Sequence, residues 1–265
     1  MATELGQLSR LMLAWIWLLA WIRLAPVIGC PGLLALMFPA VMVVALNMLE
    51  PAVMRRRAFV QNYLQPGRLF HRWLSRHLLL SLWQIVKALV LVAVLMVAAL
   101  QWPGWMLLLL LVDVPVAFGL YHLLLRVMRR QARALVAEIL ARRLLVWSNA
   151  LLLVVSVVAG GMLASHPDYR PLDWSGTLGE ALSGVRVGCE LFAPLVRAGA
   201  GQEAIAWRLM QLGVEGLSDR NLALLAWLLF LAASTLAIWA WSRLLAGSLI
   251  DARGLNCLAK ERRDD

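Results

Sequence analysis

Two ionisable side chains lie inside apolar runs long enough to cross a membrane. Lys87 stands in the stretch LWQIVKALV (82–90) and Asp113 in LLLVDVPVAF (109–118). Charges at such depth are rare, and they face either a partner or a water-filled cavity. The two runs form a hairpin about Pro103-Gly104. Measured from that turn, the axial offset between the two groups is roughly 8–9 Å at 1.5 Å per residue. A lysine side chain can cover much of that distance. Two roles are open: an ion pair that locks the hairpin, or part of a substrate or proton path. Pro115 also removes one helical hydrogen bond and frees the carbonyl of Leu111 near the acid.

Arginine makes the next candidate sites. Arg68, Arg72 and Arg76 recur at i, i+4 and i+8, and Arg126, Arg129, Arg130 and Arg133 form a similar stripe. Either stripe suits anionic lipid headgroups or an acidic cytoplasmic partner. Cys30 and Cys189 both fall on the expected outer side and could pair in an oxidising compartment. Their spacing alone does not bring them together. The four histidines are scattered, and no zinc, nucleotide or nucleophile-elbow signature occurs. We therefore expect no catalytic residue, no metal and no cofactor. His166, Asp168 and Asp173 are the one dense outer polar group, and their spacing matches no catalytic motif.

The elements that must position these groups follow from composition. The chain has 265 residues, 62% of them hydrophobic, where a soluble domain is about 45–50% apolar. Lipid is the better solvent for that excess. The net charge is +10, and all the basic residues except Lys87 and Lys260 are arginine. These arginines flank apolar runs, which points to a membrane surface and not to nucleic acid. The start of the chain lacks the basic cluster of a cleavable signal and is expected to remain in the mature protein.

A span needs about 20 apolar residues. On that basis we expect an all-α, polytopic bundle forming one membrane domain, with about six spans at roughly 9–28, 32–50, 78–100, 105–125, 144–164 and 221–243, or five if the 9–28 run lies in the interface. Arg23, near the end of the first span, should snorkel to the headgroups. The arginines at 55–76 and 126–143 and those of the tail fall on one side of this arrangement, the short turns on the other. The positive-inside rule then sets both termini in the cytoplasm of a bacterial-type inner membrane.

The outer segment, 165–220, should carry short amphipathic helices. Thr177-x-x-Glu180 reads as a capping box. An apolar stripe runs from Leu178 through Leu182, Val185, Cys189 and Phe192 to Val196, with Pro194 expected to kink or end that helix.

Three functional readings follow. The first is a non-ATPase membrane subunit of a transport or export system, its basic face docking on a cytoplasmic ATPase. The second is a scaffold or assembly component of an envelope secretion or conjugation complex, or a homo-oligomer. A membrane enzyme acting on lipid-linked substrates ranks last, because no acid, base or metal cluster supports it.

Overall fold

The computed structural model describes residues 2–63, 78–163, 168–215 and 220–250; within these, the side chains of 57–63 and 223–234, among others, lie outside the description. The described residues form eight helices and no strand. They are α1 (Ala2–Leu24), α2 (Cys30–Tyr63), α3 (Leu78–Ala99), α4 (Gly104–Arg129), α5 (Ala134–Leu163), α6 (Trp174–Ser183), α7 (Ala193–Glu215) and α8 (Arg220–Ser248). Within α1–α5, five stretches are long and apolar enough to cross a membrane: Glu4–Leu24, Cys30–Arg56, Leu80–Ala99, Gly104–Arg129 and Val136–Gly160. The expected sixth span lies within α8.

The helices are long because Leu and Ala are frequent in them, and the charges and glycines inside them, such as Lys87, Asp113 and Gly119, leave the helical backbone unbroken. Helix α2 continues through Pro39 and Pro51, and α4 through Pro115. At 30 residues, α5 reaches about 45 Å and so carries its charged end beyond the hydrocarbon. Breaks fall where the sequence supplies them. The α1–α2 turn ends at Gly29, and Pro103 caps the start of α4.

Helix α8 is the axis of the bundle and packs against α1, α2, α3, α5 and α7. Ala237, Ile238, Ala240, Trp241, Leu244, Leu245 and Ala246 are all buried along it. Small residues allow this closeness, as membrane helices gain contact energy chiefly through tight packing. A Cβ on Gly247 would meet the Val43 carbonyl oxygen of α2 at 2.6 Å.

Helix α1 is tied on by indoles. Trp21 donates Nε1–H to the Met96 carbonyl at 3.0 Å, Trp17 to Leu36 at 2.9 Å and Trp15 to Leu107 at 3.3 Å. Each indole thus satisfies its one donor on a neighbouring helix. Many large apolar side chains point outward, among them Leu13, Ile16, Phe38, Leu108, Leu151 and Val155. In water such a surface would drive aggregation; in a bilayer it is the solvated face.

The outer segment differs from expectation in two respects. Asp173, not Thr177, caps α6: its Oδ1 accepts from the Gly176 amide at 2.7 Å, while Thr177 lies inside the helix and its hydroxyl donates to the Asp173 carbonyl. The apolar stripe also divides between two helices. Helix α6 stops at Ser183, and the glycines at 184 and 188 frame a non-helical stretch. Pro194 opens α7, neither kinking nor ending a helix. A first-turn proline loses nothing, because its missing N–H has no intrahelical partner there.

Candidate functional site

The two ends of the bundle are chemically distinct. At one end, Cys30 and Cys189 form a disulfide across 159 residues of sequence. The Gly188 amide donates to the Ala25 carbonyl at 3.1 Å, and a Cβ on Gly188 would collide with the Ile28 carbonyl at 2.7 Å. Backbone contact this close requires glycine. The 184–192 stretch is thereby fastened to the α1–α2 turn. The α3–α4 turn joins the same assembly. With its amide set as its neighbours require, Gln101 donates to Glu203 Oε2 at 2.7 Å and accepts from the Ala200 amide at 3.2 Å.

Within this cap, Arg208 of α7 is buried. It donates to Thr177 Oγ1 at 2.9 Å and lies over the Trp174 ring at 4.4 Å, binding α7 to α6. The Asp173 carboxylate is held below its usual range by hydrogen bonds from the Ser175 hydroxyl and the Gly176 amide. Asp168 is held low in the same way by Arg170. Helices α6 and α7 enclose a groove of about 660 Å³ lined by Leu178, Leu182, Ile205 and Leu209, with Arg197 and Gln202 also on its wall.

Asp113 lies in the bundle interior, only 5% exposed. Its Oδ2 accepts from the Trp241 indole at 2.8 Å and from the Asn149 amide at 3.2 Å. The same amide nitrogen donates to Ser242 Oγ at 3.3 Å. One carboxylate thus joins α4, α5 and α8. Asn149 Oδ1 is buried without a donor.

Lys87 takes no part in this centre. It is half-buried, and its ammonium lies 4.9 Å from the centroid of the Trp83 ring on its own helix. Of the two roles left open for Lys87 and Asp113, the ion pair that would lock the hairpin is not formed, since each has other partners. Helix α4 packs on α5 and α1, whereas α3 packs on α2 and α8, so the sequence hairpin is not an intimate pair in space. Buried indole and amide donors satisfy the acid in its place.

The opposite end is rich in arginine. Arg142 of α5 and Glu50 of α2 form an ion pair in which both partners are buried. Arg243 of α8 donates to Asn47 Oδ1 at 3.1 Å. Arg10 ties α1 to the end of α8 by donating to the Ile250 carbonyl at 3.0 Å. Arg126, Arg129, Arg130 and Arg133 are exposed around the α4–α5 turn, and Arg129 approaches Glu138 at 3.6 Å. Arg68, Arg72 and Arg76 lie outside the described residues. His122 sits edge-on against Phe118 and Tyr121, and its Nε2 is buried without a partner.

Reading the sequence alone overlooked Asn149, Trp241 and Ser242 at the interior centre and Asn47, Glu50, Arg142 and Arg243 at the basic end. Spacing held a signal for some of them. Asn47 and Glu50 are three apart in α2, and Arg142 and Asn149 are two turns apart in α5, so each pair shares a helix face.

These features define the class: a multi-pass, α-helical membrane protein whose interior polar groups bond across helices. The comparisons narrow it no further, since no family model, no curated protein and no solved structure matches the chain.

Proposed function

We propose that the protein is a non-catalytic scaffold component of a multi-subunit envelope assembly, of the secretion or conjugation kind, in a bacterial-type inner membrane. Its arginine end and both termini lie in the cytoplasm, and its disulfide-bonded cap lies outside. The observation that carries this reading is the closure of the interior. Asp113 accepts two hydrogen bonds from buried donors on two other helices. Such bonds hold membrane helices together, at about 1–2 kcal/mol each in model peptides. The apolar groove between α6 and α7 supports the same reading, because it offers a protein partner a surface on a braced cap.

A second reading keeps the chain as a non-ATPase membrane subunit of a transport or export system. It draws on Asn149 Oδ1, a buried acceptor without a donor beside Asp113, where a proton or cation would find favourable oxygens.

Purified protein in proteoliposomes separates the two. Under an imposed pH gradient, wild type and Asp113→Asn should leak protons no faster than empty vesicles. On native gels of solubilised membranes, both should migrate in the same large assembly, because asparagine can still accept from Trp241. Proton flux in wild type that Asp113→Asn abolishes would overturn the scaffold reading in favour of transport.

A further inference from the structure

Among the described residues, the arginine end gathers more positive charge than its acids neutralise. Arg142 is taken up by Glu50. Arg243, largely enclosed beside that pair, has only the neutral Asn47 Oδ1 at its Nη1 and the Trp239 ring 5.4 Å from its guanidinium carbon, and its Nε is buried with no acceptor. Arg55 and Arg143 lie close enough to repel it. Both are exposed; Arg55 donates to the Pro51 carbonyl of its own helix, at 3.2 Å. Three guanidiniums from two helices, those of Arg142, Arg143 and Arg243, thus share one recess with the Glu50 carboxylate, and Arg55 adds like charge nearby.

Like charges held this close are unfavourable unless an anion joins them, and a guanidinium's planar fork matches phosphate oxygens. Between Arg142, Arg143 and Arg243 opens a recess of about 10 Å³, lined also by Asn47, Glu50, Pro51 and Ile139. That volume is close to what one water-sized group requires.

We propose that this recess is a phosphate site: one phosphate oxygen enters it toward Arg243, and Arg143 and Arg55 fold onto the remaining oxygens from the surface. The phosphate belongs either to a phospholipid headgroup at the membrane boundary or to free phosphate. The site is separate from the stripe at 126–133, whose arginines all face outward.

The test uses the full chain in maltoside micelles, which carry no phosphate, with inorganic phosphate titrated against thermal unfolding. A second arm measures phosphatidylglycerol retained in native mass spectrometry. Arg143→Gln and Arg55→Gln are the probes, since both side chains are exposed and neither holds the bundle together. Arg23→Gln, at the opposite end, is the control. Wild type should respond to at least one phosphate source, and either probe variant should bind about tenfold more weakly, the loss expected for one charge-assisted hydrogen bond. A response to phosphatidylglycerol alone assigns the site to lipid; a response to inorganic phosphate alone assigns it to the free ion. The proposal fails if neither source acts, if chloride at matched ionic strength acts equally, or if Arg23→Gln weakens binding as much as Arg143→Gln.

Discussion

Replacing Glu50 with leucine should be among the most damaging single changes in this chain. The carboxylate is 5% exposed and its partner Arg142 is 4% exposed, so water can solvate neither. Removing Glu50 strands a guanidinium among Arg55, Arg143 and Arg243 with no acid left in the cluster. Breaking a buried pair on one side costs about 3–5 kcal/mol, or about a hundredfold or more in the folding equilibrium. Arg142→Met should cost toward the lower end of that range, because the basic neighbours still stabilise an orphaned Glu50. The double variant Glu50→Leu/Arg142→Met removes both charges and keeps the volume roughly constant. It should fall within about 1 kcal/mol of wild type. The assay is reversible unfolding in mixed micelles by increasing denaturing detergent, run on all four proteins as a double-mutant cycle. If the double variant loses as much as the two single variants together, the pair does not hold α2 to α5, and the reasoning is refuted.

Gly247→Ala should destabilise the bundle by about 1–3 kcal/mol in the same assay, because its new methyl would press on the Val43 carbonyl and α8 must move off α2. Wild-type stability in that variant would mean that the α2–α8 contact is loose. The outer cap should be acid-sensitive. Asp173 has a folded-state pKa below its ordinary 3.8, so its stabilising contribution is complete above that value and disappears as pH falls through the lower folded value. Hydrogen exchange of the α6 amides after brief exposure to each pH should show opening below 3.8, and Asp173→Ala should show no such step.

Much of the bundle was legible because crossing a bilayer imposes a length and an apolar composition on every helix. Proline, glycine and arginine then punctuate the runs, which is why Pro103-Gly104 and the arginines after α4 were readable as turn and stripe. The interior centre was harder to read. Asp113 stood out as a lone charge, but its donors come from 36 and 128 residues away, and no local pattern marks which distant helix will lie beside it. Lys87 seemed the natural partner because it is near in the hairpin. Its long stem instead folds along its own helix to Trp83, a contact that keeps the ammonium off the apolar interior. The outer stripe misled for a different reason. Helical spacing persisted from Leu178 to Val196, yet Gly184, Gly188 and the Cys189 crosslink hold the intervening backbone against the α1–α2 turn.

In the proposed orientation the crosslinked cap faces outward and the arginine end lies in the cytoplasm. Labelling in intact cells with a membrane-impermeant maleimide tests this most directly, using Ser183→Cys on the cap and Gln131→Cys in the α4–α5 turn, each with Cys257 replaced by serine. Position 183 should react in intact cells, and position 131 only after the membrane is permeabilised. Reaction at 131 with 183 protected would contradict the account.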